Sequence, residues 1–155
     1  MTTDPSLPIR FRNPKASDRA LILNAWLKSY RKAFAAEGIS NTIYYAEHHE
    51  VARSILERGC VVVACDDTNP DVIIGFIAAE VVDEALVIHY LYVKNSFRGF
   101  GIGKLLYETV RAQENPEIVY CTHMTDQVAK PAKRREVIYN PYLLARLQHG
   151  RGLSK

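Results

Sequence analysis

The stretch Leu91-Tyr92-Val93-Lys94-Asn95-Ser96-Phe97-Arg98-Gly99-Phe100-Gly101-Ile102-Gly103-Lys104-Leu105-Leu106 decides the fold class of this chain. An apolar strand runs into Arg-Gly-x-Gly-x-Gly, and that loop opens an amphipathic helix. Glycines let the backbone take conformations closed to other residues and bring several N–H groups close to a ligand. Those donors, added to the positive end of a helix, suit a pyrophosphate. A dinucleotide-binding site of the doubly wound kind would place its glycines after the first strand, with an acid about 20 residues later. Here the loop follows the fourth strand. A P-loop is excluded as well, because Gly103-Lys104-Leu105 has neither the spacing nor the Ser/Thr that such a loop needs.

Outward from this loop the chain reads as alternating short elements. Ile9-Arg10-Phe11-Arg12 alternates as a strand does. Ser17 or Asp18 can cap a helix to about residue 35, with Leu23, Leu27, Tyr30 and Phe34 spaced for one buried face. Gly38 breaks it, and Asn41 or Thr42 can cap a second helix that runs to 58 and closes at Gly59. Strands are expected over 61–64 and 73–82, around a turn at 66–70, and over 85–93 after a tight turn at Asp83-Glu84. A helix over 101–113, a fifth strand over 118–124, a basic helix over 127–135 and a final strand over 137–144 complete the pattern. The order β-α-α-β-β-β-α-β-α-β describes a mixed α/β domain, not a repeated βαβ winding.

A length of 155 residues is that of one domain, 1–155, with loose ends at 1–8 and 148–155. Apolar residues at 48% and charged residues at 24% are ordinary for a globular chain and argue against disorder. No apolar run approaches the roughly 20 residues of a membrane span, and the first residues lack the pattern of a signal peptide. Three cysteines without a C-x-x-C pair suggest neither a disulfide framework nor a metal site, so reduced thiols in a cytoplasmic protein are expected. Charge is uneven: residues 127–155 hold seven Lys/Arg and one acid, leaving 13 basic and 16 acidic groups in the rest. A basic C-terminal segment of this kind meets an anionic ligand or nucleic acid, or is simply solvated.

Taken with its context, Arg98-Gly99-Phe100-Gly101-Ile102-Gly103 resembles the Arg/Gln-x-x-Gly-x-Gly/Ala loop of the GNAT superfamily of acyl-CoA-dependent N-acyltransferases. Leu91-Tyr92-Val93 is similar to that family's strand ending, and the element order agrees from Ile9 to about Thr125. The resemblance implies a central mixed, mostly antiparallel sheet flanked by helices, with the fourth and fifth strands splayed apart. It implies acetyl-CoA as acyl donor, its pyrophosphate on the loop amides of Arg98, Gly99, Phe100, Gly101, Ile102, Gly103 and Lys104. The backbone of Leu91, Tyr92 and Val93 would pair with the pantetheine arm as an added strand, and an amide near Tyr92 or Val93 would stabilise the oxyanion. The reaction implied is direct attack of an amine on the thioester.

An ammonium acceptor must lose a proton, which calls for a base or a water chain. Many relatives use a carboxylate on the fourth strand, but between Ala85 and Val93 only His89 titrates near neutrality. His123 closes the expected fifth strand and is the second candidate. The tyrosine that relatives carry on the next helix as the thiolate's acid is missing here; Tyr139, with Tyr142 close by, can stand in for it. Cys121 reads as a small core residue, with a covalent route as the alternative. His48-His49 lie side by side on a helix and point about 100° apart, so they cannot share one ion. Trp26, Tyr30, Tyr44 and Tyr45, with Ser29, Arg31 and His48, are candidate acceptor liners, and Glu37, Glu47 or Glu50 could draw in a cation. The expected partners are a small-molecule or polypeptide amine, with a homodimer also possible and no membrane. Nucleic acid is a further possible partner, through Lys130, Lys133, Arg134 and Arg135, as in GNAT-like phage enzymes that modify DNA bases. A GNAT-fold module that only binds acyl-CoA is the remaining alternative.

Overall fold

A computed structural model of the chain describes residues 8–33 and 38–150. Six strands lie in sequence order across one sheet: β1 (Ile9–Arg12), β2 (Cys60–Asp66), β3 (Ile73–Val82), β4 (Ala85–Val93), β5 (Ile118–Cys121) and β6 (Ile138–Tyr139). Pairing is antiparallel from β1 through β4 and parallel from β4 to β5 and β5 to β6. Helices α1 (Arg19–Ala33) and α2 (Asn41–Arg58) cover one face, and α3 (Ile102–Glu114) covers the other with α4 (Asp126–Lys133). The short α5 (Leu143–Gln148) packs Leu143 and Leu147 on Val87.

Each helix is positioned by its apolar stripe. On α3, Ile102, Leu106 and Val110 recur every four residues and are buried against Ile77, Leu86, Ile88, Leu91 and Val93. Each such side chain is worth about 1.5–3 kcal/mol on burial. The stripe of α1 centres on Ile22, Trp26, Leu27 and Tyr30; Leu23 is only partly buried, and Phe34 lies outside the described residues, as does Glu37. Trp26, expected among the acceptor liners, is fully enclosed between Phe76 and Tyr90 and is core. The cap of α2 is Ser40, one residue before the expected Asn41, and its hydroxyl accepts from the Ile43 amide at 3.2 Å.

One irregularity in β4 organises the site. Ala78 pairs with Tyr90 but Ala79 pairs with Ile88, so His89 is an extra residue, a β-bulge. Before it, Leu86 and Ile88 face α3; after it, Leu91 and Val93 do. His89 and Tyr90 therefore both turn away from α3. The bulge also bends β4 away from β5: the ladder ends at Ile88 with Cys121, closed by the Thr122 amide on the Ile88 carbonyl at 3.1 Å. The expected fifth strand over 118–124 accordingly stops at Cys121. The expected final strand over 137–144 is likewise cut to two residues. Pro141 offers no amide for a ladder, the Asn140 side chain accepts from the Tyr142 amide, and the chain turns into α5, which reaches into the expected loose end.

Candidate active site

Where β4 parts from β5, backbone groups are left to face an open gap. The Lys94 amide donates to the Ile74 carbonyl at 2.7 Å, which fixes the alternation of the antiparallel ladder. Tyr90 and Tyr92 thus spend their amides and carbonyls on β3, while those of Leu91 and Val93 point into the gap. This corrects the expectation for Tyr92, whose backbone is committed to β3; Leu91 and Val93 carry the polar groups that face the gap. In the resting protein the Arg98 guanidinium donates to the Val93 carbonyl at 3.0 Å. Leu91, Asp126 and Gln127 border two clefts, one of about 600 Å³ toward α1 and one of about 560 Å³ between α3 and α4. Tyr92 and Arg98 line the first, Gly103 and Lys104 the second.

The glycine loop meets α3 at Gly101, which caps the helix in the left-handed region at φ 81°; Gly99, two residues earlier, is left-handed as well at φ 89°. With no side-chain cap, the first amides of α3 have no partner inside the helix and point outward as anion donors. Gly103 serves differently: a Cβ there would meet the Gln127 side-chain oxygen at 2.6 Å, so α3 and α4 start in close approach. Ile102 is core by its side chain and offers only its backbone, and the Phe100 ring is exposed. Lys130 and Arg134 line the α3–α4 cleft with Lys104 and Arg111, whereas Lys133 and Arg135 line a separate groove beside β6. The basic cluster of the sequence is thus divided between two surfaces. Two groups were not foreseen: the Tyr107 and Thr125 hydroxyls border the clefts, are buried, and have no protein partner among the described residues. Such orphaned polar atoms fit a polar, amide-bearing ligand arm.

A third cavity of about 370 Å³ opens between the two N-terminal helices and the last strand, where the acceptor was expected. Tyr30, Tyr44 and Tyr139 line it, joined by Glu47 and His48. Tyr45 does not: its ring packs on the edge of Tyr44 and is otherwise exposed. His89 and His123, the two candidate bases, are closed off at 0% and 1% exposure. His123 lies beyond the end of β5, ringed edge-on by Trp26, Tyr30 and Tyr90. Cys121 is buried, and burial pushes its thiol up to about 11, so it is no nucleophile near neutrality.

The buried histidines belong to one line of hydrogen bonds. His89 Nε2 lies 2.7 Å from Glu80 Oε1, and its Nδ1 2.8 Å from Thr122 Oγ1. Thr122 Oγ1 is 2.9 Å from His123 Nδ1, and His123 Nε2 is 3.0 Å from His48 Nε2. At the far end the Arg58 guanidinium donates to Glu80 at 3.2 Å. Burial raises the Glu80 carboxyl's proton affinity, but the His89 hydrogen bond and the Arg58 charge together hold it below its ordinary value. Burial pushes His89 and His123 down and takes His48 to about 4, so all three imidazoles rest neutral.

The acetyltransferase (GNAT) domain family model matches residues 57–139, more than half of the chain. No curated protein matches the sequence. Among solved structures, a GNAT-family acetyltransferase from Staphylococcus aureus Mu50 is 17% identical, covers 81% of this chain and 79% of its own, and superposes with a TM-score of 0.59. A GNAT-family acetyltransferase from Brucella melitensis in complex with acetyl-CoA is 17% identical over 79% of this chain and 80% of its own, with a TM-score of 0.56. The PaiA N-acetyltransferase from Thermoplasma acidophilum in complex with coenzyme A is 17% identical over 69% and 72%, at 0.53. At these identities the structures share the fold, and together with the family match over β3, β4, the glycine loop and α3 they place this chain in the GNAT acetyltransferase family.

Proposed function

We propose that the protein transfers an acetyl group from acetyl-CoA to an amine, by direct attack of the amine on the thioester. The observation that carries this reading is the gap between β4 and β5, with the Leu91 and Val93 polar groups facing into it beside the uncapped start of α3. The loop amides from Arg98 to Lys104 and the cations Lys104, Lys130 and Arg134 would hold the diphosphate. Leu91 and Val93 would pair with the pantetheine amides, with Tyr107 and Thr125 as further partners, and the Leu91 or Val93 amide would steady the oxyanion. The amine would enter the cavity lined by Tyr30, Tyr44 and Tyr139, where Glu47 favours a cation. The thiolate leaves readily, since thiols of its kind ionise near pH 8.5, so no dedicated acid is required. Tyr139 remains the tyrosine nearest to that role, and Tyr90, raised to about 12 by burial, is too weak an acid to take it.

Lys130 and Arg134 turned toward the α3–α4 cleft favour a small acceptor over a polynucleotide, because those cations are engaged by the donor's phosphates. Thiol release from acetyl-CoA across a panel of small amines, peptide N-termini and aminated nucleotides tests the proposal. Release with at least one amine is expected. Tight CoA binding with no release on any amine would leave a binding module instead.

A further inference from the structure

The hydrogen-bond line from Arg58 to His48 allows one order of its protons. Glu80, ionised beside Arg58, can only accept, so His89 must donate from Nε2 and accept at Nδ1. Thr122 then donates to His89 and accepts from His123 Nδ1, leaving His123 Nε2 as an acceptor. That nitrogen takes its hydrogen from His48 Nε2. The last member is therefore fixed with its hydrogen on Nε2 and a lone pair on Nδ1. His48 is half-buried and lines the acceptor cavity, and its one side-chain hydrogen bond among the described residues is the one through Nε2. The ring is held in place by stacking on Tyr44 at 5.5 Å and Tyr30 at 5.2 Å.

We propose that His48 is the base that takes the amine proton, and that Glu80, acting through His89, Thr122 and His123, sets the tautomer that lets it do so. This rests on the acetyl-transfer reading above. The acceptor's ammonium first gives a proton to water in the cavity; as the neutral amine nitrogen then bonds to the thioester carbon, a second proton passes to His48 Nδ1, the C–S bond breaks, and the thiolate leaves with the electron pair. His48 Nε2 keeps its hydrogen on His123, and the Nδ1 proton then goes to water in the cavity. His48 touches the reacting amine; the other four are positioning residues, in the manner of a carboxylate that orients a catalytic imidazole without itself being protonated. The charged and titratable groups around His48 are His123, which it meets through Nε2, Glu47 on its own helix, Tyr30 and Arg31 on α1, Tyr44, and Tyr139 across the cavity.

The protonation of the ring nitrogens is measurable without any substrate. In ¹⁵N-histidine-labelled full-length protein at pH 7, His48 and His89 are expected to carry hydrogen on Nε2 and His123 on Nδ1. Thr122→Val should abolish that order, and Thr122→Ser, which keeps the hydroxyl, should retain it. In turnover, His48→Gln should lower kcat by about 10²–10⁴ with the Kd for CoA unchanged, and added imidazole should restore part of the rate to His48→Ala. The neighbouring His49→Gln is expected to behave as wild type. Hydrogen on His48 Nδ1 in the resting protein would overturn the proposal, as would full turnover by His48→Gln. If the wild type releases no thiol with any amine, the acetyl-transfer reading fails and the base role with it, whereas hydrogen on His48 Nδ1 in an active enzyme overturns this proposal alone and leaves the acetyl-transfer reading standing.

Discussion

The α3 face of the sheet and the α1–α2 face share the same strands but offer the proposed site different parts of the polypeptide. On the α3 face the groups proposed to hold the donor are backbone: the gap-facing amides of Leu91 and Val93, and the uncapped first turn of α3 after Gly101. On the opposite face they are side chains, drawn from α2, β3, β4 and the segment after β5 into one buried line. The bulge at His89 joins the two designs. It opens the gap on one side and, by turning two consecutive residues the same way, puts His89 into the network on the other. A backbone site tolerates side-chain change but needs special dihedrals; a side-chain network tolerates backbone adjustment but not the loss of one partner.

The largest expected difference between the faces is in their response to acid. Each buried imidazole is neutral when folded, with its proton affinity lowered, to about 4 at His48. The unfolded chain takes up protons below about pH 6.5 and the folded chain does not, so stability present above 6.5 is lost as pH falls toward 4. The loss approaches roughly 1.4 kcal/mol per pH unit for each histidine that titrates. Chemical denaturation between pH 7 and 4.5 should show this slope, and His48→Gln should reduce it. A stability curve flat over that window would mean the imidazoles are not held neutral, and the contrast between the faces would collapse.

Next in size is the glycine loop before α3. Gly101→Val forces a β-branched residue to φ 81°, at a cost of about 1–2 kcal/mol, and displaces the amides that follow. An approximately 100-fold rise in the Kd for CoA is expected by calorimetry, with the fold checked by circular dichroism. Gly103→Ala should change that Kd by less than about threefold, because only the flexible end of Gln127 has to move. If Gly101→Val binds CoA normally, the loop is a structural turn and not a phosphate cradle.

These two regions also differed in how far the sequence disclosed them. The loop is local: sixteen consecutive residues hold the strand, the glycines and the helix, so its form could be read directly. The histidine line joins His48 to a partner 75 positions away, and Glu80 and Thr122 carry no signal of their own. Its register depends on a one-residue bulge, and bulges leave little trace in an apolar strand such as Ala85–Val93. His89 and His123 were recognised as notable residues, but their burial, and hence their indirect role, follows from packing. Toward the C-terminus the sequence does carry a readable sign. Leu143 and Leu147 stand at helical spacing just after Asn140-Pro141, a turn signal, yet the apolar run suggested a strand.

A smaller effect separates the two halves of the basic segment. Lys130→Gln with Arg134→Gln should weaken CoA binding about tenfold, roughly 0.7 kcal/mol per cation, and the loss should shrink at high salt. Lys133→Gln with Arg135→Gln, on the β6 groove, should leave the Kd unchanged. Equal effects from the two pairs would mean that long-range charge, not placement in the cleft, governs binding.

The smallest expected effect lies where the two faces share a component, the turn that starts β4. Asp83 at φ 50° and Glu84 at φ 67° both occupy the left-handed region, in a two-residue hairpin turn that closes Val82 on Ala85. Asparagine tolerates that conformation better than glutamate, whose longer side chain cannot bond locally to its own backbone. Glu84 is exposed, so its replacement disturbs no packing. Glu84→Asn should therefore stabilise by a few tenths of a kcal/mol, a rise in Tm of about 1–2 °C by thermal denaturation. It should alter neither CoA binding nor the acid sensitivity of the histidine network, because strand register beyond the turn is set by the side chains of both cores. A drop in Tm would show that the strained turn is held by an interaction of Glu84. A change in the acid slope would show that the turn reaches the bulge five residues on, and that the two faces are coupled through β4 more tightly than their separate chemistries require.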